Sequence, residues 1–227
     1  MGRLLVISPH LDDAVFACGD LLASHPGSTV VTVFAGIPDE ATMLTEWDAT
    51  CGYLNARQAV LSRRREDETA LHMLAARPVW LSFCDAQYAR CCRILDVSRR
   101  LRGVLKDTTC DTVLFPLGLF HSDHELAHRA ALLLMHDARP LRWLCYEDTF
   151  YRCIPGLVQQ RVAQLTEAYE IAAPVLNASG LTAAKRRAIH CYRSQLRGLS
   201  SAGRPGHLDA FKPERYWPLC VHEEATH

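Results

Sequence analysis

Short apolar runs rich in β-branched residues, separated by longer stretches of helical periodicity, narrow most sharply what this chain can fold into. The runs cover residues 4–8, 29–34, 79–83, 112–115 and 142–146. Helical patterns occupy 12–24, 54–76, 90–106, 123–137 and 185–196. Strand and helix in alternation predict an α/β fold, a Rossmann-like three-layer domain with a mostly parallel central sheet. At 227 residues the chain reads as a single domain spanning 1–227. The glycine- and proline-rich stretch within 197–227 reads as a loop-rich C-terminal segment of that domain.

Lys plus Arg and Asp plus Glu are 25 each, so the formal charge is zero. That balance gives no pull toward nucleic acid or an anionic membrane surface. The first apolar run is too short for a signal-peptide core or a membrane span, which predicts a cytoplasmic protein. Ten cysteines are present without a CxxC pair, several inside apolar segments (Cys18, Cys84, Cys145, Cys191) and two side by side at Cys91 and Cys92. Without an export signal they read as small, reduced hydrophobes. Nothing in the composition argues against a homo-oligomer.

In open α/β sheets ligands bind beyond the carboxyl ends of the strands, so the loops there are where chemistry belongs. The first strand runs directly into Pro9, His10, Leu11, Asp12 and Asp13. An imidazole and two carboxylates are zinc-ligand chemistry, and adjacent aspartates point in different directions, so one can bind metal while the other handles protons. The plainer alternative is that Asp12 and Asp13 only cap the following helix. After the fourth strand, His121, Ser122, Asp123 and His124 open another helix. His124 would complete a His, Asp, His set. His121 would lie near the metal as an imidazolium for an oxyanion, with Asp123 hydrogen-bonded to it.

These two loops resemble the paired motifs of the LmbE-like, or PIG-L, deacetylases, zinc enzymes that mostly act on N-acetylglucosamine derivatives. The likeness extends through RRREDETALHML (63–74), FCDAQY (83–88) and KRRAIHCYRSQ (185–195). It implies His10, Asp13 and His124 as zinc ligands, Asp12 as general base and His121 with Asp123 as the oxyanion-stabilising pair. It also implies Arg63 as a substrate or acyl-pocket contact. Zn2+ is the implied cofactor, with Fe2+ an alternative occupant. The implied partner is a small N-acylated sugar or glycoconjugate, with the same hydrolysis on a non-sugar N-acyl compound as the runner-up. Leu11, Ala14 and Ser122 depart from the family's usual residues without removing a reactive group. The segments TEWDATCGY (45–53) and YEDTFYR (146–152) resemble a branch associated with glycans and secondary-metabolite sugars. There Trp47 would stack on a sugar face and Asp48 and Asp85 would accept hydrogen bonds from hydroxyls.

The same second loop contains a rival pattern, because His124, Glu125, Leu126, Ala127 and His128 spell HExxH. On a helix that spacing serves zinc peptidases, with Glu125 as base and a third ligand such as Glu147. It leaves the first loop without a role, and His128 then reads as facing solvent or the surroundings of the metal.

Overall fold

The computed structural model describes residues 2–88, 92–136, 141–176 and 182–221. Its first strand, β1 (Leu4–Ser8), is buried at every position. Leu5 and Ile7 join the apolar cluster on one face, and Leu4 and Val6 the cluster on the other. A strand buried on both faces is what a parallel sheet covered by helices requires. β2 (Thr29–Thr32) and β4 (Thr112–Pro116) flank β1 in parallel. β3 (Arg77–Trp80) lies outside β2, and β5 (Arg142–Tyr146) outside β4, again in parallel. The far edge is antiparallel: β8 (Arg215–Val221) pairs with β5, while β6 (Tyr169–Ile171) and β7 (Val175–Leu176) both pair with β8. The sheet order is therefore β3-β2-β1-β4-β5-β8-β6, with β7 also on β8.

One face of the sheet is covered by α1 (Asp13–Ser24), α3 (Ala56–Met73) and α7 (Ala183–Ile189). The other carries α4 (Ile94–Lys106) and α5 (Ser122–His136). Three shorter helices, α2 (Glu46–Thr50), α6 (Leu157–Leu165) and α8 (Arg193–Leu199), complete the set. The result is the three-layer α/β arrangement that the alternation predicts. Among the described residues no helix is long and apolar enough to cross a membrane.

Several boundaries differ from expectation for physical reasons. The helix expected over 54–76 begins at Ala56, because Asn55 caps it by accepting from the Gln58 amide at 2.8 Å. The expected start at Arg90 and end at Asp137 lie outside the described residues, as does Cys91. The single helix expected over 185–196 is two helices, broken at His190–Tyr192 where the buried Tyr192 hydroxyl donates to Asp67 at 2.8 Å. The C-terminal segment is also more than loop, since β8 enters the sheet there and a single 3-10 turn covers Leu208–Phe211. Cys18 and Cys145 are fully buried, and burial pushes both thiols well above their ordinary pKa.

Helices α1 and α7 approach so closely that a Cβ at Gly19 would lie 2.8 Å from Lys185 Cγ. Lys185 is wholly buried, 2.7 Å from Glu214 Oε1 and 3.9 Å from Asp20 Oδ2. Glu214 also accepts from the Asp20 and Leu21 amides at 2.7 and 3.1 Å and from the Tyr216 hydroxyl. This network ties α1, α7 and β8 behind the carboxyl end of the sheet. Removing the Lys185 ammonium takes away the cation that faces these two buried carboxylates. Lys185→Met is therefore expected to cost about 3–5 kcal/mol, read as a lowered urea midpoint.

Candidate metal centre and active-site cavity

The carboxyl ends of β1 and β4 diverge into the two loops that the sequence singles out, at the point where the strand order reverses. Ser8 shapes the first of them: its buried hydroxyl donates to the His10 carbonyl at 2.7 Å and accepts from the Ala14 amide at 3.0 Å. Asp12 occupies the N-cap position of α1, yet its side chain makes no capping hydrogen bond. Asp13 turns back instead, and its Oδ2 accepts from the His10 amide at 2.9 Å. The capping alternative therefore fails for both aspartates.

Asp13 Oδ2 lies 3.4 Å from His10 Nδ1 and 3.3 Å from His124 Nε2. Zinc ligands at about 2.0–2.1 Å in a tetrahedron stand about 3.3–3.4 Å apart, so these separations fit one ion bound by all three. The far nitrogen of each imidazole meets a carboxylate. His10 Nε2 is 3.0 Å from Asp123 Oδ2, and His124 Nδ1 is 2.5 Å from Asp148 Oδ1. Such outer carboxylates fix ring orientation and raise ligand basicity. Asp148 is anchored in turn by the Leu119 amide at 3.1 Å, and Asp123 by the Ala86 amide at 3.0 Å.

Among the described residues, two sets have ligand atoms within 4.8 Å of one another: His10, Asp13 and His124, and His10, His121 and Asp123. The first has the tetrahedral spacing. In the second, the short His10–Asp123 contact is a hydrogen bond between two members.

Proton affinities in the cluster diverge. Burial alone pulls the His10 imidazole down, but Asp85, Asp123 and Asp13 raise it well above its ordinary value. Burial likewise opposes charge on His124, and Asp13 with Asp148 raises it to about 9. Asp13 is held well below the usual carboxylate range despite burial, because His124 and His10 face it. Asp12 behaves oppositely: burial and the adjacent Asp13 charge push its carboxyl to about 7. The two neighbouring carboxyls thus hold their protons with opposed affinities.

His10, Asp12, Asp13, Arg63, Asp85, His121 and His124 all line one cavity of about 590 Å³. Three expectations need correction. Asp123 does not present its carboxylate to His121; that group serves His10, while the Asp123 amide donates to His121 Nδ1 at 3.2 Å. Burial, with His10 and His124 nearby, lowers the His121 pKa, which disfavours the expected imidazolium. Asp48 does not reach the cavity. It is fully buried, ion-paired with Arg63 Nη2 at 2.7 Å and accepting from the Tyr88 hydroxyl at 2.9 Å, so it holds Arg63 in place. Asp85 reaches the cavity, where each oxygen accepts one hydrogen bond from Gln87, at 2.9 and 2.8 Å.

The peptidase pattern does not assemble. His128 is buried rather than solvent-facing, its Nδ1 donates to the Pro116 carbonyl at 2.9 Å, and burial lowers its pKa to about 4. Glu125 is exposed, and Glu147 accepts from Trp217 Nε1 at 3.2 Å. Sequence reasoning missed Asp148, although a carboxylate just past the carboxyl end of β5 was the signal for it. It also missed Tyr151, whose ring packs at 5.2 Å from His124 and 6.3 Å from His121.

The PIG-L family profile, described as GlcNAc-PI de-N-acetylase, matches residues 5–135, which include both loops. Over 174 residues the chain is 32% identical to 2'-N-acetylparomamine deacetylase of Streptomyces fradiae, covering 66% of this chain. That alignment spans 58% of the relative's length. A triple-mutant deacetylase of the teicoplanin biosynthetic pathway superposes with a TM-score of 0.80 at 26% identity, covering 98% of this chain and 100% of that one. A zinc-inhibited form of teicoplanin deacetylase gives a TM-score of 0.82 at 23% identity over the same shares, and so shows the common fold.

His10→Ala and His124→Ala are expected to abolish stoichiometric zinc binding, whereas Asp148→Asn weakens it about 10–100-fold. His128→Ala leaves the affinity unchanged. Zinc titration against a competing chelator checks all four.

Proposed function

We propose that this chain, which belongs to the PIG-L family, is a zinc-dependent hydrolase that removes the acyl group from an N-acylated aminosugar or its glycoconjugate. The observation that carries the reading is the Asp13 carboxylate set 3.4 and 3.3 Å from the His10 and His124 nitrogens, with the uncapped Asp12 beside it in the same cavity. The named activity of the Streptomyces fradiae relative, deacetylation of 2'-N-acetylparomamine, supports the substrate class.

In this reading His10 Nδ1, Asp13 Oδ2 and His124 Nε2 hold the ion. When bound, zinc supplies Lewis acidity to the acyl carbonyl and to the attacking water. Asp12 accepts the proton released as water adds to the carbonyl and returns it to the departing nitrogen, so amide plus water becomes amine plus carboxylate. His121 acts as a neutral donor. Its Nδ1 accepts from the Asp123 amide, so Nε2 carries the proton and can donate to the developing oxyanion. Arg63, braced by Asp48, and Asp85 supply polar contacts for the sugar.

Asp12→Asn is expected to keep its zinc and lose about 10²–10⁴-fold in kcat on N-acetylglucosamine, followed as released acetate. Full turnover in that variant would remove the general base from the account. A base must be deprotonated to act, so kcat/KM is lost as pH falls through the Asp12 pKa. The cation's charge lowers that pKa from the metal-free value of about 7, so the acid limb of the pH profile is expected at or below about pH 7.

A further inference from the structure

The floor of the cavity is charged, while part of its lining is apolar. Phe120, Tyr151 and Ile154 contribute that part, with Phe120 and Ile154 exposed. Phe120 is 74% exposed, and its backbone adopts φ +61°. A left-handed conformation costs a non-glycine residue on the order of 1–2 kcal/mol. Phe150 has a positive φ of 73° too, but its ring packs against Phe16 at 5.7 Å and so contributes to the core. The Phe120 ring has no such place. Its aromatic neighbour is Tyr151, at 5.4 Å and 32° between planes, and Tyr151 itself borders His121 and His124.

The chain on either side explains why the ring stands where it does. Leu119 is buried and its amide is held by Asp148, while His121 turns into the cavity. Phe120 is thus carried by the loop that builds the metal centre and is exposed on the cavity lining. Size points the same way. An N-acetylated hexosamine fills on the order of 300 Å³ at protein packing density, about half of the 590 Å³ available.

Resting on the functional reading above, we propose that the substrate carries an apolar substituent, aromatic or aliphatic, that lies on the Phe120–Tyr151 face while the amide reaches the metal centre. The substituent is either an aglycone on the sugar or the body of the acyl group itself; both present the same apolar surface to that face. A ring stacked there gains from burial and from aromatic geometry, whereas a bare sugar leaves Phe120 in water.

The test compares kcat/KM of the zinc-loaded full chain on methyl and phenyl N-acetyl-β-glucosaminide, and on N-acetyl- and N-phenylacetylglucosamine. One phenyl compound is expected to exceed its methyl or acetyl counterpart by about 10-fold, and the preferred pair identifies the source of the substituent. In Phe120→Gly that preference falls below about 3-fold while the melting temperature holds or rises, because glycine accepts the positive φ. Equal rates within both pairs, or a preference that survives Phe120→Gly, would overturn the proposal. Calorimetric binding of phenyl against methyl β-glucoside, neither of which has an amide, separates the two readings. If no amide is hydrolysed, the functional reading fails, while phenyl-selective binding lost in Phe120→Gly still upholds the apolar subsite.

Discussion

The carboxylate of Asp13, held between His10 Nδ1 and His124 Nε2, is the contact on which the rest of the site depends. A carboxylate and two imidazoles crowded together in a partly dry place are costly unless each charge is answered. The answers come from separate strands: Asp123 after β4 for His10 and Asp148 after β5 for His124. Each outer carboxylate is itself pinned by a backbone amide. The cluster therefore holds its shape only if the carboxyl ends of β1, β4 and β5 stay in register. Burial of β1 on both faces, with parallel pairing on each side, secures that register.

The same logic separates adjacent residues. Asp12 and Asp13 differ by one position, but the chain turn points Asp13 at two imidazoles and leaves Asp12 with burial and a neighbouring negative charge. Two carboxyls of one residue type thus acquire opposite protonation behaviour, which a hydrolytic site can use as ligand and base. His121 shows the converse. An imidazolium was the natural expectation beside an aspartate, yet Asp123 is committed to His10 and burial works against charge on His121, so the neutral form is favoured.

Much of this was legible in the sequence wherever the signal is local. The run Leu4–Ser8 followed by His10, Asp12 and Asp13 carries its own context, a buried strand that ends in ligands, and so does the loop before α5. What escaped depends on distant partners. Asp48 was expected to meet sugar hydroxyls, and only its ion pair with Arg63, fifteen residues on in another helix, reveals its place. The helix expected across 185–196 breaks because Tyr192 is tied to Asp67 from a different helix. β8 escaped because it holds Pro218 and follows a glycine- and proline-rich stretch, yet it pairs with β5 on one side and with β6 and β7 on the other. The HExxH spacing failed in the other direction, a local pattern whose second histidine is claimed by the Pro116 carbonyl.

The central claim is that one ion is held by His10, Asp13 and His124, rather than by His10, His121 and Asp123. A crystal structure of the zinc-loaded protein with anomalous data at the zinc edge tests it directly. The account predicts a single peak about 2.0–2.1 Å from His10 Nδ1, Asp13 Oδ2 and His124 Nε2, with Asp123 still bonded to His10 Nε2. A peak coordinated by His121 and Asp123, with Asp13 unliganded, would contradict it.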